Sequence, residues 1–96
     1  MNSIIKTLYN LSISNRKSVE HIGLKLSEEV GECNQALLSY VNASGSEYKG
    51  LDGGNVKEEC VDVTMVAMSL FFKLGGTQEE LWDTMKNKCN KWEVVR

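Results

Sequence analysis

Between Arg16 and Asn42, the side chains Val19, Ile22, Leu26, Val30, Cys33, Leu37 and Val41 fall on one stripe, at roughly 100° per residue. A second segment, Val56 to Leu74, repeats the pattern with Val56, Cys60, Val63, Ala67, Leu70 and Leu74. Two long helices with one apolar face each must bury those faces against helices, so the spacing predicts an all-α domain. The absence of proline suits long uninterrupted helices.

Shorter segments complete the pattern. Ile4, Ile5, Leu8 and Leu11 predict a first helix over about Ser3 to Leu11, too short to be stable without docking. Ser12 to Asn15 reads as a connector, with Ser14 or Asn15 as N-cap of the next helix. Ala43 to Asn55 carries Gly45, Gly50, Gly53 and Gly54 and reads as a loop. It is longer than most helix–helix connections, which suits either a functional flap bearing Tyr48 and Lys49 or a plain surface loop. Asn55 and Glu58 suggest a capping box at the start of the third helix, and Gly75-Gly76 its end. Thr77 and Glu80 form a second capping box, opening a fourth helix with Leu81, Trp82, Met85, Cys89 and Trp92 on its apolar face. Lys86, Lys88 and Lys91 make a basic strip near its end, where they also complement the helix dipole.

The third helix has a further apolar stripe, Val61, Met65, Met68 and Phe72, roughly opposite the first. A helix apolar on two faces needs cover on both. Either the short first helix supplies it, or a second copy of the chain does; a homo-oligomer is the expectation, a tetramer favoured over a dimer.

Composition narrows the function classes. Residues 1–96 make one domain, and a hydrophobic fraction of 42% excludes a disordered chain. A formal charge of −2 offers no basic face for nucleic acid. No apolar run reaches the roughly 18 residues of a membrane span. The opening Met1-Asn2-Ser3-Ile4-Ile5-Lys6 lacks the features of a signal peptide, so a cytoplasmic location is expected. Cys33, Cys60 and Cys89 are odd in number and widely spaced, which reads as free, partly buried thiols.

The chemistry lies in a doubled acidic motif. Leu26-Ser27-Glu28-Glu29-Val30-Gly31-Glu32 and Val56-Lys57-Glu58-Glu59-Cys60-Val61-Asp62 both read Glu-Glu-x-x-acid on striped helices. Glu29 lies roughly 80° and Glu32 roughly 140° to one side of the first stripe's centre, with Lys25 between them. Glu59 and Asp62 lie roughly 60° and 120° from theirs, on the same side. Antiparallel packing about an approximate two-fold would gather all four acids. Ordinary solvated acids are the plain alternative. Like charges about 4 Å apart repel by roughly 4 kcal/mol at an effective dielectric near 20, so such a cluster calls for protons or cations. All-oxygen ligation selects hard ions such as Mg²⁺ or Mn²⁺. His21 has no His or Cys at ligand spacing, which argues against zinc, and no Glu-x-x-His pair suggests di-iron. No P-loop motif is present.

These residues resemble the all-α nucleoside triphosphate pyrophosphohydrolases of the MazG type, related to dimeric dUTPases. The pattern is Glu29-Val30-Gly31-Glu32, a gap of 26 residues, and Glu59-Cys60-Val61-Asp62, followed by Lys86-Asn87-Lys88-Cys89-Asn90-Lys91. The likeness spans about Lys25 to Trp92. It implies a four-to-five-helix MazG-like bundle completed by oligomerisation. It also implies hydrolysis of a (d)NTP to (d)NMP and pyrophosphate by water attack on the α-phosphate, for nucleotide-pool control or house-cleaning. Glu29, Glu32, Glu59 and Asp62 would be the Mg²⁺ ligands, and Lys86, Asn90 and Lys91 would contact phosphates. Glu28 is a candidate for orienting the water, although its direction points away from the core. Val61 stands where many members carry glycine, and Trp92 where relatives often carry a basic residue. Alternatives are a non-catalytic helical nucleotide-binding or regulatory module of the same fold, and a plain helical interaction protein.

Overall fold

The computed structural model describes residues 3–41 and 53–95. They form four helices and, among the described residues, no strand: α1 (Ser3–Ser14), α2 (Val19–Tyr40), α3 (Gly53–Lys73) and α4 (Gln78–Val95). The all-α expectation therefore holds. The loop residues Tyr48 and Lys49 lie outside the described residues.

Helix ends follow local hydrogen bonding. α1 runs on to Ser14, and the Ser12 hydroxyl, buried within the fold, donates to the Leu8 carbonyl at 2.6 Å. The N-cap of α2 is consequently Ser18 rather than Ser14 or Asn15: its hydroxyl accepts from the His21 N–H at 3.2 Å. The Asn15 side chain instead accepts from the Lys17 N–H at 2.9 Å, turning the connector. α3 begins before the expected Val56, so Asn55 lies inside the helix rather than capping it. Its C-terminus closes with two bonds, Gly75 N–H to Phe72 O and Gly76 N–H to Phe71 O, both 3.0 Å, the pairing of a Schellman motif. Gly75 has φ 99°, where a Cβ is strained. At Gly76 a Cβ would run into the Phe71 ring. The capping box of α4 is present: Glu80 N–H donates to Thr77 Oγ1 at 3.0 Å, and Thr77 N–H to Glu80 Oε1 at 3.4 Å.

The α2–α3 pair is the principal packing of the molecule. Ile22 shares a hollow with Val66 and Ser69, and Val30 shares another with Val63 and Thr64. Numbers rise along α2 as they fall along α3, so the pair is antiparallel. The buried or half-buried positions include Val19, Ile22, Leu26, Glu29, Cys33 and Ala36 on α2, and Val56, Glu59, Val63, Val66 and Leu70 on α3. Their alternating spacing of three and four residues is that of a coiled-coil seam. This line differs from the expected stripe. Val30, Leu37 and Val41 are 40%, 45% and 57% exposed, while Ala36 and Ser39 are buried. On α2 the buried line takes in the small Ala36 and Ser39, whereas on α3 it passes through Val66 and leaves Ala67 exposed.

The second stripe of α3 is half covered by α1. Phe72 is buried, with the Tyr9 ring edge-on to it at 5.2 Å. The Lys73 ammonium also donates to the Asn15 carbonyl, tying α3 to the α1–α2 connector. Further toward the N-terminus of α3, Val61 and Met65 stay exposed. α4 rests lightly on α1. It buries Leu81 and leaves Trp82, Met85 and Trp92 in the open. The radius of gyration, 15.9 Å, exceeds the roughly 13 Å of a compact domain of about this length.

Phe72→Ala should lower the unfolding free energy by about 3–5 kcal/mol, by removing a buried ring and leaving a cavity. Urea denaturation followed by helical circular dichroism reads this as a fall in midpoint at unchanged slope.

Candidate metal centre

The seam brings carboxylates together. Glu29 of α2 and Glu59 of α3 both occupy seam positions, and Asp62 lies one turn beyond Glu59. Glu29, Glu59 and Asp62 each offer a carboxylate oxygen, all within 4.8 Å of one another. Glu28, Glu29 and Glu32 form a second triad by the same measure. Glu29 belongs to both. It was expected at the border of the buried stripe; it lies inside it, only 7% exposed.

Burial leaves a specific imbalance. Glu29 Oε1 accepts from the Lys25 ammonium at 3.0 Å. Glu29 Oε2 and Glu59 Oε2 are buried without a hydrogen-bond partner. A carboxylate oxygen removed from water and left unpaired is costly. The Glu59 carboxyl is correspondingly pushed above its usual range, first by desolvation, then by the charges of Glu32, Asp62, Glu29 and Glu58. Lys25 is held above its ordinary value by its hydrogen bond to Glu29 and the nearby charge of Glu28, 3.5 Å away. Orphaned oxygens, mutually repelling acids and an all-oxygen donor set fit a hard divalent cation such as Mg²⁺ or Mn²⁺.

The expected site residues are distributed unevenly. Glu29, Glu59 and Asp62 meet, three of the four acids that the two-fold argument gathers. Glu32 is exposed and joins the triad on its own helix, acting on Glu59 through its charge. Glu28, expected to point away, is exposed yet belongs to that same triad. Lys86, Asn90 and Lys91 lie exposed on α4, whose principal packing is against α1. Within one chain α4 makes its principal packing against α1 rather than against the α2–α3 pair that carries the acids. His21 Nδ1 lies 3.2 Å from the capping Ser18 hydroxyl, in keeping with a helix-surface role.

Two features escaped the sequence reading. Lys25 is an exposed counter-ion to Glu29, signalled only by a Lys four residues before Glu29. Cys33 and Cys60 were expected as separate thiols. Both are free, yet their sulfurs lie 3.7 Å apart across the seam. The Cys33 thiol is pushed up by its hydrogen bond with Cys60, then by burial.

No protein-family model, no curated protein and no solved structure matches the chain.

Because folding raises the Glu59 carboxyl above its ordinary 4.5, the folded state holds that proton more tightly than the unfolded chain. Its stabilising contribution is present below about pH 4.5 and lost as pH rises through the raised value. Glu59→Gln should therefore raise the thermal midpoint of metal-free protein at pH 7–8, with the two proteins converging in acid. Melting curves in a chelating buffer across this range test it; a Gln variant less stable at neutral pH would contradict it.

Proposed function

We propose that this chain is a Mg²⁺-dependent nucleotide pyrophosphohydrolase of the MazG-like type, cleaving a (d)NTP to (d)NMP and pyrophosphate. The observation that carries this is the Glu29–Glu59–Asp62 triad, with two buried carboxylate oxygens lacking partners. The spacing of the two acidic motifs, and Lys86, Asn90 and Lys91 after them, add the resemblance drawn from sequence.

Glu29, Glu59 and Asp62 would hold the cation, with Glu32 and Glu28 at its open side. Bound there, Mg²⁺ supplies neutralisation of phosphate charge and a lowered pKa for the attacking water. In the reaction, the water oxygen bonds to the α-phosphorus, the α–β phosphoanhydride bond breaks, and pyrophosphate leaves. The water's proton passes to a carboxylate or to solvent. Glu28, exposed beside Glu29, would orient that water. Lys25 offsets the negative charge that the acids and the triphosphate share. Lys86, Asn90 and Lys91 would grip phosphate once assembly brings an α4 over a cluster.

Assembly is part of the same proposal. Val61, Met65, Trp82, Met85 and Trp92 are large, apolar and 40% or more exposed. Exposure on this scale in a small chain marks surfaces that pair, so we expect a homo-oligomer, with a tetramer favoured.

Incubation with a panel of NTPs and dNTPs should yield monophosphate and pyrophosphate only with Mg²⁺ or Mn²⁺. Asp62→Asn should cut turnover on the order of 100-fold or more while helicity is kept. Metal-dependent nucleotide binding without product would instead indicate a non-catalytic module. Sedimentation equilibrium should give a mass at a multiple of 10.8 kDa; a monomer at micromolar concentration would overturn the assembly.

A further inference from the structure

Cys33 and Cys60 belong to different helices and are 27 residues apart in sequence. Their sulfurs nevertheless touch, at 3.7 Å. A disulfide has its sulfurs about 2.05 Å apart, so closure requires roughly 1.7 Å of approach. Side-chain rotation and a slight adjustment of two packed helices supply movement of that order. Cys60 is exposed, and the pair opens on a hollow of about 280 Å³ lined by Val30, Cys33, Asn34, Cys60, Val63 and Thr64. A small reagent therefore has a path to the sulfurs. The remaining thiol, Cys89, is exposed on α4, away from this seam.

We propose that Cys33 and Cys60 form a reversible intrachain disulfide, a modification site that staples α2 to α3. The co-reactant is a small-molecule disulfide such as oxidised glutathione. One protein thiol loses its proton and attacks a glutathione sulfur, releasing one glutathione as thiolate and leaving a mixed disulfide. The second protein thiol then attacks the protein-bound sulfur, forming the S–S bond and releasing the second glutathione. Two protein S–H bonds and one S–S bond are consumed; one S–S bond and two glutathione S–H bonds are formed. The protein is oxidised and glutathione is reduced, and excess dithiol reverses both steps.

Placement gives the bond its consequence. Cys33 directly follows Glu32, and Cys60 directly follows Glu59. The staple would fix the backbone of one acidic motif against the other, at the level where their carboxylates meet. That effect on a bound cation rests on the hydrolase reading; the bond itself does not.

The test is thiol counting on the full chain, folded, before and after incubation with oxidised glutathione. Free thiols should fall from three to one per chain. Peptide mapping after alkylation should show a Cys33–Cys60 linked pair with Cys89 alkylated, in a chain that stays monomeric on a non-reducing denaturing gel. Dithiothreitol should restore all three thiols. Cys33→Ser and Cys60→Ser, each checked for helicity, should keep both remaining thiols free of intrachain linkage. Alkylation of both Cys33 and Cys60 after oxidation would overturn the proposal. So would separate stable glutathione adducts at each, or bonds found only to Cys89 or between chains.

Discussion

The α2–α3 seam sets the terms for the rest of this molecule, and its middle is occupied by charge. Seam positions in paired helices normally carry aliphatic side chains, whose burial holds the helices together. Here Ile22, Leu26 and Ala36 keep that role on α2, but Glu29 interrupts them, and Glu59 does the same on α3. The two acids face a shared deficit of partners, with one buried oxygen each left unpaired. A purely structural seam gains nothing from such an arrangement, because replacing a buried charge by an apolar residue is often neutral or stabilising. The cost makes sense where the carboxylates are ligands, and this is why the proposed function begins from the seam rather than from a cavity.

The apolar core around it is thin. Ile22, Ala36, Phe72 and Leu81 are the buried hydrophobic residues among those described. α1 holds the C-terminal half of α3 through Phe72 and Tyr9, leaving the N-terminal half, near the acids, uncovered on its second face. α4, packed chiefly against α1, presents aromatic residues to solvent. Both open faces lie where a second copy would complete the apolar packing that the proposed assembly calls for.

Much of this was legible in the sequence, for identifiable reasons. Helix number followed from apolar periodicity, and the Gly75-Gly76 stop and Thr77–Glu80 box are local signals that depend on few long-range contacts. The meeting of Glu29, Glu59 and Asp62 followed from similar angular offsets, on the same side, of two antiparallel helices. What was misplaced was set by tertiary contact. The N-cap fell on Ser18 because α1 extended through Ser14. Glu29 moved from border to interior because the buried line of α2 takes in the small Ala36 and Ser39, while hydropathy counts the large residues. Glu28 joined an acid triad although its angle pointed outward, since a long, exposed side chain can reach where its Cα does not. The Cys33–Cys60 contact required the register between helices, which neither helix encodes alone.

The Lys25 ammonium gives the acid cluster a tenant of its own. Lys25 holds Glu29 Oε1, while Oε2 of Glu29 and of Glu59 lack partners, so a cation taking those oxygens would sit beside a positive charge tethered to the same helix. A divalent ion would bring twice the Coulomb attraction of a monovalent one to those oxygens. Under the proposed function, that tethered charge would shape which cation the cluster accepts, and it comes from one residue a single helical turn from Glu29.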